Sequence, residues 1–172
     1  MPPNSLARAA TARIQVLAPV DKLDFLDTQS AVLPVQVTPL EAWNIMHATP
    51  LPGLKLAFRL RDAVSALFGV KRIGGFSGRA RLNVEAGEKL DFFLVEAVSD
   101  DVLTLTVRDR HLDVMTCVTS NSGVLSITSS VKTHNLFGRI YMLPVRPAHK
   151  LIVALSLKRL QKELQRRRAG GR

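Results

Sequence analysis

Hydrophobic and polar positions follow two different periods along this chain, and the changes of period mark its elements. The run TPLEAWNIMHATP opens on a capping box: Thr38 and Glu41 can each satisfy an amide of the first turn, and Pro39 suits the first helical position. The spacing predicts a helix over 39–48 that stops before Pro50, with Leu40, Trp43 and His47 on one face. Trp43 is therefore expected to be a core or cavity-wall residue. A second helix is expected over about 52–68, with Leu56, Leu60, Val64 and Leu67 as its stripe and Gly69 as a left-handed cap.

From residue 76 the period falls to two. Strands are predicted near 76–86, 89–98, 101–109, 112–120 and 124–134, with a further extended piece at 138–143 and an earlier strand within 23–37. The links EAGE, SDD and SNSG are too short for crossovers, so successive strands must be antiparallel neighbours. Leu103, Leu105 and Val107 share one face of their strand; Leu112, Val114 and Val118, then Leu125, Ile127 and Val131, do the same on theirs. A last helix is expected to start at Pro144 and Pro147. Its apolar residues, Leu151 to Leu164, cover so much of its circumference that it must pack on the sheet.

Together these elements predict an α+β domain: a curved antiparallel sheet, two short helices at one end, and a long C-terminal helix across the apolar face. Residues 21–165 form the expected domain, 1–20 a loosely held leader and 166–172 a basic flexible tail. The space between sheet and helices is either filled by side chains or open to an apolar ligand.

Composition adds limits. The chain has 172 residues, 47% apolar and 22% charged, which suits one soluble domain with its own core. It has a single cysteine, Cys117, so no intrachain disulfide forms. No apolar run is long enough to span a membrane, and the N-terminus, interrupted by Arg8 and Arg13, fails as a secretory signal. A cytoplasmic protein is the expectation. The formal charge of +10 raises a nucleic-acid reading, but seven cations against Glu163 place +6 within residues 158–172, leaving +4 on the body. With one Trp and one Tyr there is little for base stacking, and no specific nucleic-acid partner is expected.

Two polar words interrupt the strands: RDRHLDV at 108–114 and THNLFGRIY at 133–141. Strand alternation puts His111 and Asp113 on the face opposite Leu112 and Val114, pointing together. The pair is the candidate for acid–base catalysis. As metal ligands, even with His134 or His149 added, it falls short of a recognisable zinc pattern, so no metal and no cofactor are expected. The preferred reading is structural: Arg139 forks onto Asp113, His134 and Asn135 bond the backbone, Gly138 permits a bend, and Tyr141 is buried. His149, placed in the first turn of the last helix, is expected to be neutral because of the helix dipole. The loop KRIGGFSG lacks the Gly-Lys-Ser/Thr of a phosphate loop, and no Gly-x-Ser-x-Gly elbow occurs.

The layout resembles the helix-grip fold of the START and birch-pollen-allergen superfamily. The words DRHLDV, THNLFGRIY and RPAHKLIV resemble a bacterial family of unknown function placed there, over about residues 20–160. Related domains also stand behind NAD(P)-binding epimerase-like domains. The resemblance implies the fold and no established activity. Three readings follow: a binding module for a hydrophobic or amphipathic small molecule, with Trp43, His134, Arg139 and Tyr141 as candidate ligand-binding residues; a small cyclase, dehydratase or isomerase in the same cavity; or an interaction protein using the basic tail on an anionic partner.

Overall fold

The computed structural model describes residues 14–49 and 75–170. The expected second helix, Gly69 and residues 71–74 of the glycine loop lie outside the described residues. The elements, in chain order, are β1 (Phe25–Val32), α1 (Pro39–His47), β2 (Lys89–Leu90), β3 (Phe93–Val98), β4 (Val102–Arg108), β5 (Leu112–Asn121), β6 (Val124–Thr133) and α2 (Leu136–Gly170). The strands form one antiparallel sheet in the order β1-β6-β5-β4-β3-β2. This is the α+β architecture the sequence predicts, with a long C-terminal helix lying along the sheet in the manner of a helix-grip fold.

Turn chemistry sets the register. Between β5 and β6, Ser122 (φ 49°) and Gly123 (φ 77°) make a two-residue hairpin with both dihedrals positive, pairing Asn121 with Val124. Between β3 and β4, Ser99 Oγ accepts from the amides of Asp101 and Val102. Between β4 and β5, Asp109 Oδ1 accepts from the amides of His111 (2.7 Å) and Leu112 (3.0 Å). Beyond β3 the expected strand over 76–86 is absent: the chain there is irregular, and Leu82 is 92% exposed. Only Lys89 and Leu90 are strand residues there: Asp91, at φ 56°, turns the chain straight into β3, and a turn at residues 86–87 precedes them, its Gly87 N–H donating to the Val95 carbonyl.

The two faces of the sheet differ in chemistry. Leu103, Leu105, Val118, Leu125, Ile127 and Val131 lie on the face that α2 covers, and all are buried. A fully buried Leu is worth roughly 1.5–3 kcal/mol, so this face carries the stability. The opposite face carries hydroxyls at small side chains: Thr104, Thr106, Thr128 and Ser130, all buried, with Cys117 among them. Thr28 and Thr128 share a hydrogen bond at 3.0 Å across it, and the backbone amides of Gln15 and Leu17 donate to Cys117 Sγ and Ser130 Oγ. Residues 15–17, expected to be loose, thus lie across this second face.

Helix α1 begins as its capping box dictates, with Glu41 N–H donating to Thr38 Oγ1 (3.2 Å) and Thr38 N–H to Glu41 Oε2 (2.8 Å). Helix α2 does not begin where the prolines suggest. Residues 138–143, expected to be extended, are helical; Asn135 is the N-cap, its Oδ1 accepting from Gly138 N–H at 3.0 Å. Pro144 and Pro147 sit inside the helix on its exposed side, where the missing amide bonds face water rather than the core. At its other end the helix runs through Gly170, across residues read from sequence as a tail.

The start of α2 is held close to the sheet. Gly138 lies against the His111 carbonyl, which also accepts from His134 N–H at 2.8 Å, and a Cβ at Gly138 would fall well inside contact distance of that oxygen. Farther along, Arg146 donates to the Asp24 carbonyl, Gln29 Nε2 to the Lys150 carbonyl and Gln161 Nε2 to the Val32 carbonyl, so β1 is tied to α2 along its length. Gly138→Ala is expected to destabilise the fold by about 3 kcal/mol, the upper part of the range for overpacking because the obstacle is backbone. Urea unfolding of the two proteins measures it; an unchanged midpoint would remove the close approach from the account.

Candidate functional site

Buried apolar residues form two clusters rather than one. The larger joins α1, the sheet centre and the C-terminal half of α2, through Trp43, Leu103, Leu105, Leu157 and Leu160. The smaller joins Phe25, Leu112, Val131 and Met142, with Val114, Tyr141 and Val145 packed against it. Between them lies a cavity of about 120 Å³. Phe92, Phe93 and Val107 wall it from the larger cluster; Phe25, Val131, Met142 and Val145 wall it from the smaller. Four polar side chains reach the wall as well: Asp109, Ser129, Tyr141 and His149.

These polar groups are not equally available. Asp109 holds the β4–β5 turn through two amide bonds to one carboxylate oxygen. Ser129 Oγ shares a long hydrogen bond, 3.4 Å, with Thr116. His149 stands edge-on to Phe25, ring centroids 5.6 Å apart, and its Nε2 is buried with no hydrogen-bond partner among the described residues. Burial holds its pKa below the ordinary histidine value, with Asp27 a weaker opposing influence. A neutral imidazole results, as expected from the sequence, but the cause differs. Helix α2 starts at Leu136, so His149 is in its fourth turn, and desolvation rather than the helix dipole keeps the ring uncharged.

The structure places the six residues singled out from sequence in five separate surroundings. His111 precedes β5 and is buried; Arg110 Nε donates to its Nε2 at 2.9 Å, and its Nδ1 lies 3.1 Å from Asn135 Oδ1. Asn135 is oriented by Gly138 N–H at its oxygen and by the Arg110 carbonyl at its Nδ2, which also lies 2.9 Å from the same ring nitrogen. Both ring nitrogens are thereby engaged in joining the β4–β5 turn to the start of α2. Asp113 turns the other way and pairs with His134, Nε2 to Oδ1 3.3 Å. Arg139 lies toward Asp24, whose carboxyl it helps to lower; the larger cause is the Thr133 N–H, donated to Asp24 Oδ2 at 2.7 Å. Of the six, Tyr141 alone lines the cavity. Among the described residues no group of three or more His, Cys, Asp or Glu could hold a metal ion.

Trp43 stands one layer behind the cavity wall, edge-on to Phe93 at 5.6 Å. His47 lies between Trp43 and Phe76, ring centroids 4.1 and 4.0 Å away, and its Nδ1–H donates to the Trp43 carbonyl at 2.8 Å. This burial lowers the His47 pKa to about 4, although the hydrogen bond to Trp43 acts in the opposite sense. His149 was assigned no ligand role from the sequence. Its position among Tyr141, Met142 and Val145 at spacings of three, four and eight becomes a signal only once the helix is extended back to Leu136.

Fold and site together define an α+β protein whose long C-terminal helix walls a mainly apolar pocket against an antiparallel sheet. Residues 19–156 match the family model described as Protein of unknown function (DUF2867), and the chain belongs to that family. No curated protein and no solved structure matches it. Among the described residues no helix is long and apolar enough to cross a membrane.

The buried histidines set an acid limit on stability. Below an unfolded value near 6.5, the unfolded chain takes up a proton at His47 that the folded protein refuses until about pH 4. Stability is full above pH 6.5 and declines as pH falls to 4, by roughly 2–3 kcal/mol for His47, with His149 adding in the same direction. Urea midpoints measured at pH 7 and pH 4.5 are expected to differ less in His47→Gln than in the parent; equal differences would contradict the assignment.

Proposed function

We propose that this protein is a binding module for a small, largely apolar molecule carrying one polar group, held between the sheet and α2. The observation that carries this reading is a wall dominated by aliphatic and aromatic side chains that includes His149, whose buried Nε2 has no hydrogen-bond partner among the described residues. A buried polar atom without a partner costs about 1–3 kcal/mol, which a ligand hydroxyl or carbonyl would recover. Size narrows the class. Drug-sized ligands occupy pockets of roughly 300–1,000 Å³, whereas an apolar cavity near 150 Å³ accepts a single aromatic ring. At about 120 Å³ the site suits one ring or a short branched chain. The helix-grip layout and its resemblance to the START superfamily are consistent with a cavity in this position.

The binding reading is preferred to an isomerase or dehydratase because the acid–base pair suggested by the sequence, His111 and Asp113, is not part of the cavity wall, and the side chains concerned are committed elsewhere. Asp109 secures a turn, His111 secures the start of α2, and Asp113 is paired with His134.

Phenol and toluene, matched in size, separate the apolar and polar contributions. Phenol is expected to bind with a Kd of about 0.1–1 mM, and about fivefold more tightly than toluene, the worth of one net hydrogen bond. Chemical-shift titration of the full chain reads both. His149→Phe is expected to abolish the preference for phenol while retaining toluene, and Val145→Trp to block both. Failure of either probe to bind the parent protein, or a phenol preference that survives His149→Phe, would overturn the proposal.

A further inference from the structure

Helix α2 has a second face, directed away from the cavity. Leu136, Ile140, Leu143, Leu151 and Leu155 are 71%, 56%, 64%, 60% and 41% exposed, and Pro144 and Pro147 are exposed between them. Spaced by three, four and eight, these residues fall on one side of the helix, opposite the buried Met142, Val153, Leu157 and Leu160. The result is an aliphatic stripe spanning 20 residues of helix, about 29 Å from first to last at 1.5 Å per step. A scattered exposed leucine needs no explanation, but a continuous line of this length marks a contact surface.

Charge identifies the partner. From Leu136 to Lys162 the helix contains no acidic residue. Arg139 and Lys150 are exposed along one margin of the stripe, Lys158 and Lys162 follow in line with it beyond Leu155, and Arg166, Arg167 and Arg168 come after, all exposed. Glu163 is half-buried and engages Arg167 at 3.1 Å, and Lys150 has Asp27 at 3.9 Å on the sheet side. A second copy of this face would bring cations against cations with no carboxylate on the stripe to pair with them. An anionic surface meets no such opposition.

We propose that the outward face of α2 lies in the plane of an anionic lipid surface, with the stripe from Leu136 to Leu155 in the acyl boundary and the basic margin among the headgroups. Such binding combines buried apolar area with attraction to negative lipid, and the aliphatic stems of Lys and Arg can lie along the stripe while their charges reach phosphate. The site is separate from the cavity, on the other side of the same helix, and does not depend on it.

Flotation of the full chain with vesicles tests the proposal. Retention on vesicles of equal phosphatidylglycerol and phosphatidylcholine is expected to exceed that on phosphatidylcholine alone by at least about tenfold at 0.1 M salt, and to fall as salt is raised. Leu143→Asp/Leu151→Asp is expected to reduce retention by about tenfold with an unchanged melting temperature, because both side chains already face water. The milder Leu143→Gln/Leu151→Gln serves if the first variant folds poorly. The proposal is overturned if the parent ignores anionic vesicles or if both variants bind as well as the parent, which would assign retention to the basic C-terminal turns alone. It is also overturned if light scattering finds a parent dimer that the variants dissociate, which would make the stripe a contact between copies.

Discussion

The close approach of α2 to the turn between β4 and β5 sets the geometry of the rest. Gly138 rests on the His111 carbonyl, Asn135 caps the helix while holding the His111 ring, and Asp24 fastens the start of β1 to the end of β6 beneath the same helix. These contacts fix where α2 first meets the sheet. The ties from Gln29, Arg146 and Gln161 then fix its path across β1. A helix held at both ends over a curved sheet cannot press equally along its length, and the cavity lies where the two apolar clusters fail to meet.

Much of this architecture is legible in the sequence wherever local chemistry and long-range packing agree. Thr38, Pro39 and Glu41 mark the start of α1 to the residue. The hairpin at Ser122 and Gly123, and the alternation of Leu103, Leu105, Leu125 and Ile127, place β4, β5 and β6 in their register. Legibility fails where the two conflict. Leu136 to Leu143 has enough alternation to pass for a strand, and two prolines follow it. Because both proline rings project to solvent, the helix passes through them, and its true start is signalled only by Asn135 three residues before Gly138. Residues 76–86 alternate as a strand does, yet they find no partner strand among the described residues.

The site illustrates the same limit. Polar residues in apolar runs attract attention, and His111, Asp113 and His134 do make polar contacts, but with neighbours that join turns and strand ends. His149 carries the chemistry that geometry brings forward, and it is inconspicuous in sequence because its neighbours on the cavity wall come from β1, β4 and β6 as well as from its own helix. Tyr141 is the one residue of the earlier group that the fold carries to that wall. Spacing identifies residues sharing a helix face; it does not identify what a distant strand sets opposite them.

The far margin of the sheet has its own consequence. β2 offers two paired residues before Asp91 reverses the chain, and one of them is the exposed Lys89. An incoming strand from another molecule would meet only two strand residues there, with a cation beside them, and the neighbouring Glu88 and Gly87 already bonded inward to Val95. Natural sheets use abbreviated, charged borders of this kind to resist polymerising through their backbones. In this chain the brevity of β2 guards against edge-on fibre growth from that side, a safeguard that its hydroxyl-lined interior strands, with their high β-propensity, would otherwise lack.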